Sequence, residues 1–397
     1  MTTIDYIGFD VHKKTISFCA KAQDGRILDE GTILARRADL SAWAKARPRP
    51  WEGAMEATLF TGWIYDHLQP FAQKLKVAHP AMLKAIAASK KKNDRVDGRK
   101  ISDLLRCDLL PECYMAPSWM RDLRRVLRYR NLVVREATRM KNRIAGLLME
   151  TGTPYNKKRL HGKRYFNELV GTLGNLQETP ASVVELLKLS RGQLEMFETV
   201  QRRLVKALGE NPALAERVER LQSIPGVGQI LALTWALEIG EVERFGSIKR
   251  AASYCGLTSA ERNSAGKEEH GPISKQRNKH LQTVLIEAAK LAPRWNKQLA
   301  ALHAEELGKG NRNRATLEVA RKLVAYLMAV DKSGKRFQIR SSDEGAPRRE
   351  SVSGVTSGAR ARPGETRKAG VSHQRRSGAK KCVQDATKST IGGGDDR

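Results

Sequence analysis

Short apolar runs separated by turn signals fill the N-terminal part of the chain, and this pattern constrains the fold most strongly. The runs IDYIGFD, KTISFCAKA and RILDEGTIL each have the length and composition of a β-strand. Asp24-Gly25, between the second and third runs, is a strong signal for a hairpin turn. Helix-like segments then alternate with strand-like segments in GAMEAT and KLKVAHP, up to a helix that begins at about Asp94. We therefore expect an α/β layer fold that begins with three antiparallel strands.

A long helical pattern follows this α/β part. Apolar residues recur at helical spacing from about Ser118 to Glu150, with arginines between them. The loop TGTPYNKKRLHGKRY separates this segment from a second predicted helix, from about Ala181 to Leu208. We expect the two helices to form an antiparallel coiled-coil hairpin that serves as a spacer or dimerisation arm. Its arginines are also expected to contact phosphate.

The next part is predicted to be mainly helical, with helices in KRAASYCGL, 278–295 and 312–331. Pro225-Gly226-Val227-Gly228 stands between two predicted helices, as the turn of a helix-hairpin-helix does. Such a turn presents backbone N–H groups to a phosphate, and Gly226 and Gly228 would let a DNA backbone come close. A loop that merely connects two helices is the alternative.

The composition changes after about Gln338. The remaining residues are rich in Ser, Gly, Arg and Lys and nearly lack large apolar side chains, so we expect a disordered basic tail. The chain thus divides into an α/β region (1–117), a helical coiled-coil region (118–215), a mainly helical region (216–338) and the tail (339–397).

The charge balance points to a polyanionic partner. The chain has 72 Lys and Arg against 43 Asp and Glu, a net charge of +29, which favours DNA or RNA. No apolar run is long enough to span a bilayer, and no secretory signal is recognisable, so we expect a cytoplasmic protein without a membrane partner. The five cysteines form no CxxC pair and predict neither a zinc site nor a disulfide framework.

Four carboxylates stand at positions that a sheet could bring together. Asp10 ends the first predicted strand, Glu56 ends a later strand, and Asp94 and Asp97 share one face at the start of a helix. Four carboxylates at one point need cations, and two magnesium ions about 3.5–4 Å apart would satisfy them and act on a phosphodiester. Taken singly, Asp94 could be a helix N-cap and Asp10 a turn residue.

The stretch KKNDRVDGRK, residues 91–100, combines two of these carboxylates with basic side chains. We expect the basic residues to hold a phosphate backbone next to the metal. They are Lys91, Lys92, Arg95, Arg99 and Lys100.

Several stretches together resemble a known family, the DEDD-type insertion-sequence transposases related to Piv-type DNA invertases, which act as bridge-RNA-guided recombinases. The matching stretches are YIGFDVHKKT, AMEAT, KNDRVDGRKISDLL, IPGVG, IGEVERF, AASYCGLTSAERNSAGKEEHGPISK and RKLVAYLMAVDKSG. The resemblance implies a RuvC-like (RNase H-like) catalytic domain, the coiled-coil insertion and a C-terminal transposase domain. It also implies a magnesium-binding tetrad, which the matching motifs place at Asp10, Glu56, Asp94 and Asp97.

The family likeness further implies a serine nucleophile in the C-terminal domain. The serine in register is Ser264, in the predicted polar loop RNSAGKEEHG, and Ser274 in PISK is the alternative. The family pattern usually has Gly where Ala265 follows the serine, which bears on the geometry of this loop. Without the resemblance, Ser264 would be taken for an ordinary surface serine. Basic residues near these serines are expected to contact nucleic acid: Arg262, Lys267 and Lys275.

The expected partners are donor and target DNA, a structured guide RNA, and further copies of the chain in a homodimer or homotetramer, in a prokaryotic, nucleoid-associated setting. Two other functions remain open at this point. One is a RuvC-like metal-dependent endonuclease in which Ser264 is inert, and the other is a non-enzymatic basic DNA-binding protein. A sugar-kinase-like fold is disfavoured because Val11-His12-Lys13 replaces the glycine that an ATP phosphate loop needs after the aspartate.

Overall fold

A computed structural model describes residues 4–86, 94–174, 179–264 and 267–338 of the chain. The side chains of residues 94–96, 260–264, 267–270 and 272 are not among those described. Lys91, Lys92, Ala265 and the predicted tail from residue 339 onwards therefore lie outside the described residues.

The N-terminal sheet has five strands in the order β3-β2-β1-β4-β5. They are β1 (Asp5–Val11), β2 (Thr15–Lys21), β3 (Ile27–Leu34), β4 (Trp51–Glu56) and β5 (Lys74–Ala78). The first three strands pair antiparallel, whereas β4 is parallel to β1 and β5 is parallel to β4. The turn between β2 and β3 contains Gly25 at φ 90°, and the Asp24 carboxylate accepts a hydrogen bond from the Arg26 backbone. The predicted strands and their hairpin turn are confirmed.

Helices cover both faces of this sheet. They are α1 (Arg37–Lys45), α2 (Thr61–Leu68), α3 (Pro80–Ile86) and α4 (Asp94–Arg106). Ile7 and Phe9 of β1 pack in one core with Leu40 of α1 and Ile64 of α2. A second core joins buried residues of the strands to those of α3 and α4: Ala54, Ala78, Leu83, Ile101 and Leu105. The short α3 was not predicted, since its seven residues carry too little helical periodicity.

Two long helices form the predicted antiparallel hairpin. They are α5 (Ser118–Glu150) and α7 (Ala181–Gly209), with α6 (Lys163–Gly174) between them. Leu127 of α5 shares a core with Leu208 of α7, whereas Leu148 shares another with Leu187, so the helices run in opposite directions. The prediction overlooked α6 and assigned its first residues to a loop.

The first turns of α5 are fixed to the protein by arginines. Arg121 pairs with Asp66 of α2, Arg124 donates to the backbone carbonyl of Leu237, and Arg128 donates to Glu238. These three guanidinium groups are therefore engaged inside the protein, although the sequence suggested phosphate contacts for the arginines of this helix.

The C-terminal part is mainly helical, as predicted. Its elements are α8 (Pro212–Gln222), α9 (Gln229–Ile239), α10 (Ile248–Tyr254), β6 (Ser259–Ser264), β7 (Lys267–Ile273), α11 (Lys279–Leu291), α12 (Lys297–Gly308) and α13 (Arg312–Ser333). Every residue of α9 from Leu231 to Ile239 is buried, so this helix is the centre of the core. In the part of the chain that the structure describes, no helix combines the length and apolar character that crossing a bilayer requires.

A buried ion pair joins three of these helices. Arg217 of α8 donates two hydrogen bonds to the carboxylate of Asp331 in α13, at 2.8 and 2.6 Å, and Trp235 of α9 donates a third at 2.9 Å. Asp331 is 3% exposed, so the three donors replace the water that its carboxylate loses. Asp331 belongs to the stretch RKLVAYLMAVDKSG that resembles the transposase family, and its contacts give it a structural role here.

Candidate active site

Asp10 and Glu56 lie side by side on the two central strands. Phe9 of β1 pairs with Met55 of β4 in parallel register, so Asp10 and Glu56 are the next residues along both strands. Residues at matching positions of parallel neighbours project from the same face of a sheet. The side chain of Asp10 is only 14% exposed and accepts a hydrogen bond from His12 Nε2 over 3.1 Å. The two carboxylates thus lie next to each other at the C-terminal ends of β1 and β4.

Helix α4 packs directly on the face that carries these carboxylates. A Cβ on Gly8 would lie 2.2 Å from the carbonyl oxygen of Gly98 and 2.4 Å from the backbone nitrogen of Ser102. The Ser102 hydroxyl donates to the carbonyl of Tyr6 at 2.8 Å. Only glycine at position 8 allows the helix backbone to approach the strand so closely.

The direction of α4 brings its first turn towards Asp10. Ser102 lies over Tyr6 and Gly98 lies over Gly8. Helix α4 and strand β1 therefore run in opposite directions, and the N-terminus of the helix lies nearest the C-terminal end of the strand. Four helix residues rise about 6 Å and two strand residues rise about 6.6 Å. By this spacing the backbone of Asp94 comes level with Asp10. The start of α4 is therefore directed towards the ends of β1 and β4 that carry Asp10 and Glu56. The tetrad itself stays a prediction.

Ion pairs hold α4 in this position. Arg99 donates two hydrogen bonds, each 2.7 Å long, to the carboxylate of Glu30 on β3. Lys21 of β2, with a side chain 8% exposed, contacts Asp103 at 2.6 Å. The guanidinium of Arg99, expected to hold phosphate, is thus already occupied by Glu30. Lys100 lies 3.5 Å from the carboxylate of Asp97, and the side chain of Arg95 is not described.

His12 is a site residue that the sequence reasoning did not assign. It follows Asp10 by two positions, so both side chains project from the same side of an extended chain. The available signal was this spacing alone, and a histidine two residues after a carboxylate is common in any loop. The observed contact orients the Asp10 carboxylate.

The donor chemistry of the four carboxylates fits a hard divalent cation, which prefers oxygen ligands. Among the described side chains, no three His, Cys, Asp or Glu residues lie close enough together to hold a metal ion. The Asp94 side chain is not among them. Asp10 and Glu56 are adjacent, but together with Asp97, whose side chain is also described, they do not form such a cluster.

The stretch around Ser264 is a β-hairpin and not the predicted loop. Ser264 ends β6 and pairs with Lys267 of β7. The prediction failed because SAERNS and KEEHGPI lack the apolar alternation of a half-buried strand. The side chains of Ser264, Arg262 and Lys267 are not described. The hairpin lies between α10 and α11, which pack in the C-terminal core and not on the N-terminal sheet.

Ser274, the alternative nucleophile, has a structural hydrogen bond. Its hydroxyl accepts from the backbone nitrogen of Gln276 at 3.2 Å, and its own backbone nitrogen donates to Thr258 at 3.1 Å. It therefore closes the turn between the hairpin and α11. The neighbouring Lys275 is exposed.

The two glycines between α8 and α9 differ in their surroundings. Gly226 has φ +93°, and a Cβ there would lie 2.6 Å from the Cβ of Ala292, so this glycine is packed against protein. Gly228 is the N-cap of α9, and a Cβ there would meet nothing within 4 Å. The predicted turn between two helices is present, and Gly228 is its open position.

Comparison with known families matches both the N-terminal and the C-terminal parts. The transposase model named for the DEDD proteins of the IS110 group matches residues 7–153, and the model described as "Transposase IS116/IS110/IS902 family" matches residues 218–304. The first match includes all four candidate carboxylates, and the second includes Ser264.

Curated relatives are likewise transposases of insertion sequence elements. The transposase for insertion sequence element IS1111A of Coxiella burnetii is 26% identical over 299 residues, which cover 73% of this chain and 78% of the relative. The transposase for insertion sequence element IS1328 of Yersinia enterocolitica is 24% identical over 348 residues, covering 85% and 99%. A non-enzymatic DNA-binding role is thereby set aside. The chain is a DNA transposase, an enzyme that acts on DNA, and its two matched parts are similar to the IS110/IS116 family of insertion-sequence transposases.

Proposed function

We propose that this transposase cuts and rejoins DNA at a composite site made of Asp10, Glu56, Asp94, Asp97 and Ser264. The observation that carries the proposal is the packing of α4 on β1, which directs the start of the helix towards the adjacent Asp10 and Glu56. The sheet, with three antiparallel strands followed by two parallel ones, supports a RuvC-like fold for residues 1–117.

Magnesium is the ion we propose for the four carboxylates, because hard oxygen donors on adjacent elements suit it. When bound, it would supply positive charge to the phosphate and to the departing sugar oxygen. Asp10 and Glu56 hold their oxygens on rigid strands, and His12 fixes the orientation of Asp10. Lys100 lies 3.5 Å from the Asp97 carboxylate and offsets part of its charge.

Ser264 is proposed as the nucleophile. Its hydroxyl oxygen forms a bond to the phosphorus of a DNA phosphodiester, and its proton passes to a carboxylate of the site or to water. The bond between phosphorus and one bridging sugar oxygen breaks, and that oxygen leaves as a hydroxyl group after taking up a proton. The phosphoserine link conserves the phosphodiester energy, so a different DNA hydroxyl can later displace the serine and rejoin the strand.

The strands that carry Asp10 and Glu56 pack in one core, and the helices that flank the Ser264 hairpin, α10 and α11, pack in another. This separation is compatible with assembly of the site between copies of the chain. We propose a homodimer or homotetramer in which the coiled-coil region (118–215) joins the catalytic region to the C-terminal transposase region (216–338). A guide RNA would select donor and target DNA, since the net charge of +29 suits a large polyanion.

A denaturing gel tests the composite site directly. Purified protein is mixed with labelled donor DNA, guide RNA and magnesium, and wild type is run beside Ser264→Ala, Asp97→Ala and Ser274→Ala. We expect a covalent protein–DNA band in wild type and in Ser274→Ala, and a loss on the order of 10³-fold or more in the other two. Cleavage without a covalent band, equally strong in Ser264→Ala, would instead establish a plain metal-dependent nuclease.

His12→Ala is expected to lower the cleavage rate by about 10- to 100-fold, because residues that orient a metal ligand have effects of this size. His12→Gln keeps a donor and should recover part of the rate. The magnesium concentration for half-maximal cleavage should rise in His12→Ala while its melting temperature stays close to wild type, since the side chain is 47% exposed. An unchanged magnesium dependence would show that His12 does not act through Asp10.

A further inference from the structure

A cleft separate from the carboxylates opens beside the start of α9. It has a volume of about 830 Å³ and is bounded by α5, the Gly226–Leu231 segment, α11 and Trp295. We refer to it as the Trp295 cleft. Most of its wall is apolar, contributed by side chains such as Val134, Ile230 and Val284. Trp295 is 60% exposed at its rim and Leu291 is 43% exposed.

The charged groups of the cleft are mainly cationic. Arg130, Arg135 and Lys279 line it, and none of them forms an ion pair with another residue in the described ranges. Its one carboxylate, Glu287, is neutralised by Lys290 at 2.7 Å. The cleft is therefore electropositive as well as apolar.

Arg130 is the least satisfied of these cations. It donates to the Asn131 side chain at 3.0 Å, but its buried Nε has no hydrogen-bond partner. Burial lowers the pKa of this guanidinium, and no carboxylate compensates for the lost hydration. An anionic group in the cleft would supply the missing countercharge for this guanidinium.

The apolar wall and the exposed indole suit the base of a nucleotide, and the cations that have no ion-pair partner suit its phosphate. A base can stack on an aromatic side chain, and its phosphate can accept hydrogen bonds from arginine and lysine. Gly228, at the open start of α9, borders the same cleft, so backbone N–H groups of that first helical turn face the same region.

We propose that the Trp295 cleft binds one unstacked nucleotide of a single-stranded nucleic-acid segment, with its base against Trp295 and its phosphate near Arg130 and Lys279. A base within a duplex is stacked and paired on both sides, so only an unpaired segment can enter the cleft. This inference rests on the proposed nucleic-acid function but not on the metal or the serine. The charge of the cleft disfavours a second copy of this strongly basic chain as its occupant.

Photocrosslinking tests the contact at residue level. A single-stranded oligodeoxythymidine that carries 5-iododeoxyuridine is bound to the full-length protein and irradiated, and the crosslinked peptide is identified by mass spectrometry. We expect the main crosslink at Trp295. Crosslinks confined to residues outside the cleft would overturn the proposal, and strand cleavage by the same preparation would show that the transposase function stands regardless.

Affinity measurements with variants test the energetics. Trp295→Ala should weaken binding of a labelled single-stranded oligonucleotide by about 5- to 150-fold, the range for one base–aromatic stack, and Trp295→Phe should restore most of it. A blunt DNA duplex with the same number of phosphates should bind both variants as it binds wild type. Trp119→Ala is the control, since Trp119 is also exposed, at 42%, but does not line the cleft.

Two results would contradict the proposal. Equal losses on single strand and duplex would show that Trp295 does not read an unstacked base. An unchanged affinity in Trp295→Ala together with a changed mass by light scattering would show that the cleft holds a second copy of the chain.

Discussion

Gly8→Ala is expected to destabilise the N-terminal sheet by about 3 kcal/mol, because the added methyl group meets backbone that cannot rotate away. The new Cβ would lie 2.2 Å from the Gly98 carbonyl oxygen and 2.4 Å from the Ser102 nitrogen, both in α4. Relief requires α4 to move away from β1, and α4 carries Asp94 and Asp97. A displacement of about 1 Å at a reacting group lowers a rate by about 10²-fold. Urea unfolding and DNA cleavage by the same preparation measure both effects.

Gly98→Ala is the matched control, since it adds one methyl group on the other side of the same contact. Its Cβ would lie 3.5 Å from the Gly8 oxygen and 3.6 Å from the Ser17 oxygen, which are ordinary contact distances. Alanine is favoured over glycine inside a helix by about 0.5–1 kcal/mol, so stability should rise or stay constant. If Gly8→Ala and Gly98→Ala have the same unfolding free energy and cleavage rate, the close approach of α4 to β1 is contradicted.

Glu238→Ala is expected to lower the free energy of unfolding by about 3 kcal/mol, the lower end of the effect of removing one partner of a buried ion pair, because Arg128 is half exposed. Glu238 is 1% exposed and accepts hydrogen bonds from Arg128 at 2.8 and 2.9 Å and from Asn278 at 2.9 Å. Its loss would leave Arg128 without its partner where α5 meets α9. Chemical denaturation measures the change. Glu287→Ala, which breaks an exposed pair with Lys290, should change stability by less than about 1 kcal/mol.

The same carboxylate predicts a pH dependence. Burial alone would raise the pKa of Glu238, but the hydrogen bonds and charge of Arg128 outweigh it, and the folded-state pKa is lowered below the ordinary value of 4.5. The stabilisation is therefore fully present above the unfolded-state pKa and is lost as the pH falls through the folded-state pKa. The stability difference between wild type and Glu238→Gln should shrink below about pH 4.5. A difference that stays constant from pH 7 to pH 3 would contradict this ion pair.

The sequence predicted elements whose signal is local. The strands from Asp5 to Leu34 were recognisable because apolar residues and the Asp24-Gly25 turn lie within a few positions of one another. The β-hairpin at Ser264 was missed because the sequences SAERNS and KEEHGPI lack apolar alternation. Helix α6 was missed because its first residues were assigned to a loop. The hairpin therefore has no local signal to find, whereas α6 does have one in Phe166, Val170 and Leu173, which recur at helical spacing.

The candidate site also has a part that the sequence predicted and a part that it did not. The order of Asp10, Glu56, Asp94 and Asp97 was visible in the sequence, but the reason why α4 packs against β1 was not. It is the glycine in YIGFD that lets α4 touch β1, and a lone glycine in a strand can equally mark a bulge or a tight bend. Likewise, Arg99 looked like a phosphate ligand because its partner Glu30 lies 69 positions away in the chain.

Helix α5 is continuous from Ser118 to Glu150, so a movement at one of its ends is transmitted to the other. Its base is fixed to α2 and α9 by Arg121, Arg124 and Arg128, while its distal half packs with α6 and α7 in a core of their own. A continuous helix of 33 residues is a lever about 50 Å long. Each degree of rotation at the base therefore moves the tip by about 0.9 Å. A partner that binds the tip of α5 and moves it would in turn rotate the base, where Arg128 pairs with the buried carboxylate of Glu238.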